Sequence, residues 1–448
     1  MTSPGFDHHH PPSQAIIDTC VHCGFCLTTC PSYRVLGTEM DSPRGRIYQM
    51  NAILQGDIGL AATTVRHFDS CLGCLACVTA CPSGVRYDQL IAATRAQIQR
   101  QYRRPWAEQL VRTVLFQLLP YPERLRLVAP VLWLYQRAGL NRWLLPMLRR
   151  FFPSLAAMAE LLPPLTLQQL LPRPWPTVLP AQGERRYRVG VILGCVQRLF
   201  NPDVNAATVR VLRAVGCEVV IPPQQGCCGA LPCHQGETHQ AQALARWMID
   251  CFRFTELDAI VINASGCGHT LKEYGHLLAE DAEYRDLAVA FSQRVRDVQE
   301  FLAAIEFPVP LHPLRDRPLT LVYQDACHLL HGQNISWQPR QLLRRIPGVE
   351  LRDPIDAALC CGSAGVYNFL QPETAAELGR QKVTHLLNTG AQVIASANIG
   401  CTVQIQHYLR ERGTAVPVYH PVQLLDRSLR HLPLEDVPGP CQGDLVRR

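Results

Sequence analysis

One cysteine pattern constrains this chain more than any other feature. Cys20-x2-Cys23-x2-Cys26-x3-Cys30-Pro31 returns as Cys71-x2-Cys74-x2-Cys77-x3-Cys81-Pro82, with every spacing kept. Three thiolates at such spacing on one turn-rich loop hold three irons of a cubane cluster. The fourth, three residues on and followed by proline, ligates the other cluster. The pattern predicts two [4Fe-4S] clusters, one on Cys20, Cys23, Cys26 and Cys81 and the other on Cys71, Cys74, Cys77 and Cys30. Zinc is the competing reading, but zinc knuckles come as separated Cys-x2-Cys pairs rather than triplets. A disulfide framework fits less well. Met1 to Gln14 is polar, carries Pro4, Pro11 and Pro12, and has no apolar stretch that a secretory signal needs. The expected compartment is therefore the cytoplasm, and His8-His9-His10 reads as part of a tail.

At 448 residues, the chain is long enough for two or three domains, each with a core. Its net charge is +6, and of 43 basic residues only Lys272 and Lys382 are lysine. No nucleic-acid recognition motif accompanies that charge, so no nucleic-acid partner is expected. No Walker A sequence is present and no G-x-G-x-x-G follows a strand, which leaves nucleotide and flavin without a visible site.

Four segments are expected. Residues 12–100 form the two-cluster module, with an apolar helix from Ile47 to Leu54 opened by Ser42-Pro43-Arg44-Gly45-Arg46, and another over Asp57–Phe68. Residues 101–180 are a helical connector. It holds Trp106, Trp133, Trp143 and Trp175, and ten arginines against Glu108, Glu123 and Glu160. Its prolines leave no run near the ~20 apolar residues of a membrane span. Basic, aromatic, leucine-rich helices can lie on a membrane surface. They can equally pack on a partner or on their own domain, which is the commoner fate of such helices.

From Arg188 onward the pattern alternates strand and helix, and it repeats over 187–312 and 318–430. The first half reads as strand Val189–Leu193, Cys195, a helix from Pro202 to Gly216, strand Glu218–Ile221, Cys227-Cys228-Gly229, a helix, strand Ala259–Asn263 and Cys267. The second reads as strand Leu319–Tyr323, Cys327, a helix ending at Gly348, strand Val349–Leu351, Cys360-Cys361-Gly362, a helix from Pro372, strand Gln392–Ser396 and Cys401. Matching elements at matching intervals indicate a duplication. The expected fold class is thus α+β multidomain: an all-helical two-cluster ferredoxin followed by duplicated α/β cysteine-rich (CCG) domains.

Loops after strands gather at the carboxyl edge of an open α/β sheet, where ligands bind. A metal or redox role, with a further cluster as one form of it, is therefore expected of Cys195, Cys227, Cys228, Cys267, Cys327, Cys360, Cys361 and Cys401. Simple burial of small thiols is the alternative. Cys217, Cys233, Cys251 and Cys441 have no counterpart in the repeat and read as packing or surface residues. His269 and His328 are placed to donate a hydrogen bond to a sulfur, or to do nothing of the kind.

These residues resemble a known family. Cys20-Val-His-Cys-Gly-Phe-Cys, Asp41-Ser-Pro-Arg-Gly-Arg-Ile and Cys81-Pro-Ser-Gly-Val-Arg-Tyr are similar to the iron–sulfur subunit of bacterial glycolate oxidase. So are Asn205-Ala-Ala-Thr, Gly226-Cys-Cys-Gly-Ala, Ala264-Ser-Gly-Cys-Gly, Lys272-Glu-Tyr-Gly, Leu359-Cys-Cys-Gly-Ser-Ala-Gly and Ala397-Asn-Ile-Gly-Cys. The similarity runs from about residue 16 to 425. It implies an oxidoreductase acting on CH–OH groups and built from several subunits. FAD-binding partner subunits would oxidise glycolate or D-lactate, and this chain would pass the electrons toward quinone or a membrane acceptor. It implies no catalytic residue in this chain, no activity of the chain alone, and a peripheral place on the inner face of the cytoplasmic membrane.

The paired-cysteine halves also resemble those of heterodisulfide reductase and of lactate-utilisation and glycerol-phosphate dehydrogenase subunits. A thiol or disulfide reductase is thus the second hypothesis. The endings Cys267-Gly-His-Thr270 and Cys401-Thr-Val-Gln404 lack the further cysteine of heterodisulfide reductase, which argues against its unusual non-cubane cluster. A scaffold whose clusters only stabilise the fold is a third reading.

Overall fold

The computed structural model describes residues 5–171 and 174–434, apart from the side chains of Asn141, Arg142 and Gln168. No strand occurs among the described residues before Val178. In the N-terminal module the cysteine runs are followed by longer helices. Ser42 caps the helix Pro43–Gln55 by accepting from the Gly45 N–H, with Pro43 in the first turn where its missing N–H costs nothing. Gly56, at φ 82°, ends it. The expected second helix begins later than Asp57, at Ala62, and runs to Asp69. The Asp57 and Ile58 amides turn back onto the Ala52 carbonyl, so these residues belong to the preceding cap. With Tyr87–Gln101, these helices bury Ile47, Met50, Ile53, Phe68, Leu90 and Ile98 between them.

The connector forms helices Trp106–Leu118, Pro122–Arg137, Leu140–Phe151, Pro153–Leu161 and Leu167–Leu170. Only part of its apolar surface packs inward. Leu115 and Phe116 meet Val366, and Leu125 and Ala129 meet Leu199. Trp106, Leu127, Trp143 and Phe151 stand 78%, 79%, 84% and 63% exposed. No helix among the described residues is long and apolar enough to cross a membrane. The connector does not end at residue 180 as a helical unit. Its last stretch, β1 (Val178–Leu179), pairs antiparallel onto the first sheet.

That sheet has the order β1-β3-β2-β4-β5, with β2 Tyr187–Ile192, β3 Cys217–Val220, β4 Ala259–Ile262 and β5 Val295–Asp297. The second has the order β7-β6-β8-β9, with β6 Leu319–Gln324, β7 Val349–Arg352, β8 Val393–Ser396 and β9 Val418–Tyr419. Beyond β1, all pairings are parallel. The single helix expected before Gly348 is instead two, Cys327–Gln333 and Trp337–Arg344, broken where Asn334 turns left-handed.

The halves are not separate lobes. One core runs through Val189, Val261, Leu321, Tyr323, Val393 and Val422. After β5 and β9, each half closes with a capped helix, Val298–Ala304 under Asp297 and Pro421–Leu429 under His420. Each closing helix packs on the first long helix of the other half: Val298–Ala304 on Trp337–Arg344, and Pro421–Leu429 on Pro202–Ala214. Arg210 reaches Asp426 in a two-pronged ion pair at 2.8 and 2.7 Å across the second of these contacts.

Candidate iron–sulfur and thiolate sites

The two cysteine runs adopt the same loop by different residues. In each, the residues flanking the second cysteine are left-handed: His22 and Gly24 around Cys23, Gly73 and Leu75 around Cys74. Glycine takes this conformation freely, whereas His22 and Leu75 hold it at a cost. The third cysteine then lies in a short helix, Phe25–Thr29 or Ala76–Thr79. Two cavities result. One is lined by Cys20, Cys23, Cys26 and Cys81, with Cys77 at its wall. The other is lined by Cys30, Cys71, Cys74 and Cys77. Each offers sulfur donors drawn from both runs against walls such as Ile47, Val85 and Leu72, a soft donor set of the kind that suits iron–sulfur clusters.

The cavities differ in exposure. Cys23 is exposed, with Val21 68% and Phe25 65% exposed beside it. Cys30, Cys71 and Cys74 are buried. Burial first, and then the neighbouring cysteines, push the Cys20, Cys26, Cys74 and Cys77 thiols up. At Cys71 burial works in the same direction, but the Arg46 and Arg95 cations outweigh it and bring the thiol below its ordinary value. The Gly73 N–H and Tyr87 hydroxyl also donate to its sulfur, at 3.4 and 3.7 Å.

The motif around Asp41 supplies one of these cations, Arg46; the other, Arg95, comes from the helix Tyr87–Gln101 and donates to the Cys71 carbonyl at 2.5 Å. Arg44 donates to the His22 carbonyl at 2.9 Å and pairs with Glu39, bracing the first loop. Arg46 is fully buried and donates to the His67 carbonyl and to Ser32 and Ser70, with Asp41 at 3.6 Å. Gly45 separates the two arginines because a Cβ there would meet the Glu39 carbonyl oxygen at 2.0 Å. In the sequence this motif reads as the opening of a helix and as part of the family resemblance, with no sign of the buried network it builds.

In the first α/β half, Cys195, Cys227 and Cys228 are buried after β2 and β3, and Cys267 lies in the first turn of the helix Ser265–Lys272 after β4. Cys195 donates to Cys227 at 3.4 Å, which holds its own thiol well above the ordinary value, with burial adding to the effect. In the second half, Cys327 and Cys401 begin the helices after β6 and β8, and Cys360 lies 3.9 Å from Cys327. Donation from Cys327 and Cys361 pulls Cys360 well below the ordinary thiol value, against burial. Asn398 donates to Cys401 at 3.5 Å. The loops after the strands thus meet as two sets of four. Cys217 is buried in β3, Cys251 packs beside the first half's core, and Cys441 lies outside the described residues.

The second set touches the N-terminal module. Cys74, Leu72 and Ala76 share one apolar cluster with Cys360, Leu359 and Tyr367. Tyr367 donates to the Ser70 carbonyl, and Arg34 pairs with Asp356 at 2.8 Å. His328 does not donate to a sulfur. Its Nε2 meets the Gly73 carbonyl at 2.9 Å. His269 turns to His328 and to His234, a residue the sequence pattern did not single out, with ring centres 5.0 and 6.4 Å away. Burial lowers the pKa of all three imidazoles, that of His328 to about 4.

Comparison with known proteins places names beside this geometry. A 4Fe-4S dicluster domain family matches residues 16–85, and a cysteine-rich domain family matches 189–272 and 321–406. The linker region of glycolate oxidase iron–sulfur subunits matches residues 107–162. The chain is 36% identical to the "Probable glycolate oxidase iron-sulfur subunit" of Bacillus subtilis (strain 168), over 92% of this chain and 94% of that one. It is 36% identical to the "Glycolate oxidase iron-sulfur subunit" of Escherichia coli (strain K12), over 93% and 95%. "Lactate utilization protein A" of an Exiguobacterium species is 25% identical, over 54% of this chain and 98% of its own length.

Proposed function

The chain belongs to the glycolate oxidase iron–sulfur subunit family, and from that premise we propose that it is the electron-carrying subunit of a complex that oxidises glycolate, and D-lactate, to the 2-oxo acid. The observation that carries the reading is the pair of adjoining cavities, lined by five and four cysteines drawn from both runs, with Cys77 at the wall of both. Cys20, Cys23, Cys26 and Cys81 would hold one [4Fe-4S] cluster, and Cys71, Cys74, Cys77 and Cys30 the other. Bound there, such clusters carry one electron at a time. The exchange of the fourth cysteine ties the loops together, so the distance between the clusters is set by covalent chain. The inner set is buried, and Arg46 and Arg95 hold positive charge beside it.

In this proposal the substrate binds an FAD-containing partner subunit. Electrons enter at the exposed Cys23 loop, whose apolar Val21 and Phe25 suit a docking surface, and leave toward quinone. The purified chain, prepared anaerobically, is expected to hold at least about eight irons, two cubes of four. It should not oxidise glycolate until the flavoprotein is added. Zinc in place of iron and sulfide, or glycolate turnover by the flavin-free chain, would sink the proposal.

The outward apolar face of the connector supports a peripheral place on the inner face of the cytoplasmic membrane. Trp106, Leu127, Trp143 and Phe151 are exposed among arginines. Each basic residue near an anionic surface contributes about 1 kcal/mol. Changing Arg142, Arg149 and Arg150 to glutamine should therefore weaken binding to anionic vesicles by on the order of a hundredfold, without loss of iron. Arg142's side chain lies outside the described residues, and Arg149 already pairs with Glu160 at 2.6 Å, so its share is the smaller. Vesicle binding that ignores these changes, or no binding by the unmodified chain, would move this face to the flavoprotein interface.

A further inference from the structure

The residue just before the second cysteine of each run is the pivot of its loop. In the first run it is His22 and in the second Gly73, both left-handed, at φ 53° and 64°. Each turns its N–H toward the first cysteine of its own run. Gly73 donates to Cys71 Sγ at 3.4 Å, and a backbone hydrogen bond from His22 reaches Cys20. Each carbonyl is then held from outside the loop. Arg44 donates to the His22 carbonyl at 2.9 Å. His328 Nε2 meets the Gly73 carbonyl, also at 2.9 Å. A carbonyl oxygen only accepts, so Nε2 carries the proton.

The two donors differ in origin. Arg44 belongs to the module whose loop it braces. His328 lies in the helix Cys327–Gln333 of the second α/β half, 255 residues along the chain from Gly73. Its ring is steadied by His234 and His269 of the first half, with ring centres 4.9 and 5.0 Å away. Glycine enters a left-handed turn at no steric cost and leaves it as easily, so an outside donor is what fixes Gly73. Docking of the module does not depend on that bond. Tyr367 donates to the Ser70 carbonyl at 3.2 Å, Thr79 and His331 meet at 2.7 Å, and Arg34 pairs with Asp356 at 2.8 Å.

We propose that His328 is a positioning residue for the cluster on Cys71, Cys74, Cys77 and Cys30: its Nε2–H pins the Gly73 carbonyl and so keeps the Gly73 N–H on the Cys71 sulfur. The proposal rests on the two-cluster reading above and gives the second α/β half a part in it. Hydrogen bonds to the sulfurs of such a cluster help set its potential. A donor at a sulfur favours the reduced, more negative form, so losing it makes reduction harder. His328 touches no sulfur and acts only through Gly73.

The test uses the full chain prepared anaerobically. Its readouts are iron retention against bathophenanthroline and a potentiometric titration followed by electron paramagnetic resonance. Cys23→Ser and Cys74→Ser assign the two N-terminal signals. Glutamine sets its amide nitrogen near the place of Nε2 and asparagine near that of Nδ1, so only the first reaches the Gly73 carbonyl. His328→Asn should hold the iron of the second-run cluster about 10–100-fold less tightly, the usual effect of losing an outer-shell partner. It should also make that cluster harder to reduce by roughly threefold to tenfold, the upper figure being about 59 mV for one electron. The first-run signal should not move, and His328→Gln should restore both readings. Unaltered iron retention and midpoint in His328→Asn overturn the proposal. So does a glutamine variant that behaves as the asparagine one, since it keeps the donor. An equal change in both N-terminal signals overturns it too, because the hydrogen bond reaches only the second loop. Should His328→Asn not accumulate, His328→Gln decides: a second-run signal kept in place supports the positioning role, and its loss with the first-run signal intact overturns it. A second-run signal missing from the unmodified chain overturns the two-cluster reading itself, and the role of His328 falls with it.

Discussion

Cys74→Ser is expected to remove the inner N-terminal cluster and to stop electron delivery from the assembled complex to a quinone analogue. Cys74 lines the inner cavity, is buried, and shares an apolar cluster with Cys360 of the second α/β half. A serine hydroxyl is a harder donor than a thiolate and does not replace it at iron. Losing an outer-shell partner of a metal site already costs up to ~100-fold, so losing a ligand should reduce quinone-analogue reduction by at least that factor. Reduction of the partner's flavin by glycolate should continue, and the Cys20, Cys23, Cys26 and Cys81 signal should survive. Stopped-flow measurement of both half-reactions separates these effects. Wild-type quinone reduction by this variant would show that electrons do not pass through the inner set.

Arg46→Met should destabilise the N-terminal module by about 3–5 kcal/mol, the usual result of removing one member of a buried ion pair. Arg46 is 0% exposed and joins Asp41, Ser32, Ser70 and the His67 carbonyl in one network. Its charge also faces Cys71 and Cys30, on either side of the inner cavity. The variant leaves the Asp41 carboxylate buried without its guanidinium, so adding Asp41→Asn should recover part of the loss. Thermal unfolding of the iron-loaded chain, with iron counted before and after, measures both. Unchanged melting and full iron content in Arg46→Met would show that the network carries no weight. Arg46→Lys should fall between, since a point charge cannot satisfy three divergent acceptors as a planar fork does.

Much of this molecule is legible along the chain because its information is local. The spacing within each cysteine run needs only a few residues to state itself, and the duplicated strand–cysteine–helix order repeats at intervals that a linear reading detects. Strand positions were close for the same reason: β-branched runs such as Val189–Ile192 and Ala259–Ile262 are short, apolar and bounded by glycine or polar turns. The helix expected from Asp57 failed because Gly56 and the Ala52 carbonyl form a cap that hydrophobic pattern does not report. The short edge strands β1, β5 and β9 went unread because two or three residues carry no periodicity.

The chemistry that could be placed from sequence was that of ligand type and spacing: eight thiols in two runs, and two further sets of four behind matching strands. Tertiary structure decided everything that depends on which distant segments meet. It set the inner run against the second half rather than leaving the module free, brought His234, His269 and His328 together, and crossed the closing helices between halves. It also buried four basic residues, Arg46, Arg95, Arg112 and Lys382. The reason is physical. A thiolate announces its role by spacing, because a cluster demands ligands at short fixed intervals. A buried cation is defined only by the low-dielectric surroundings and the anions that long-range packing brings to it.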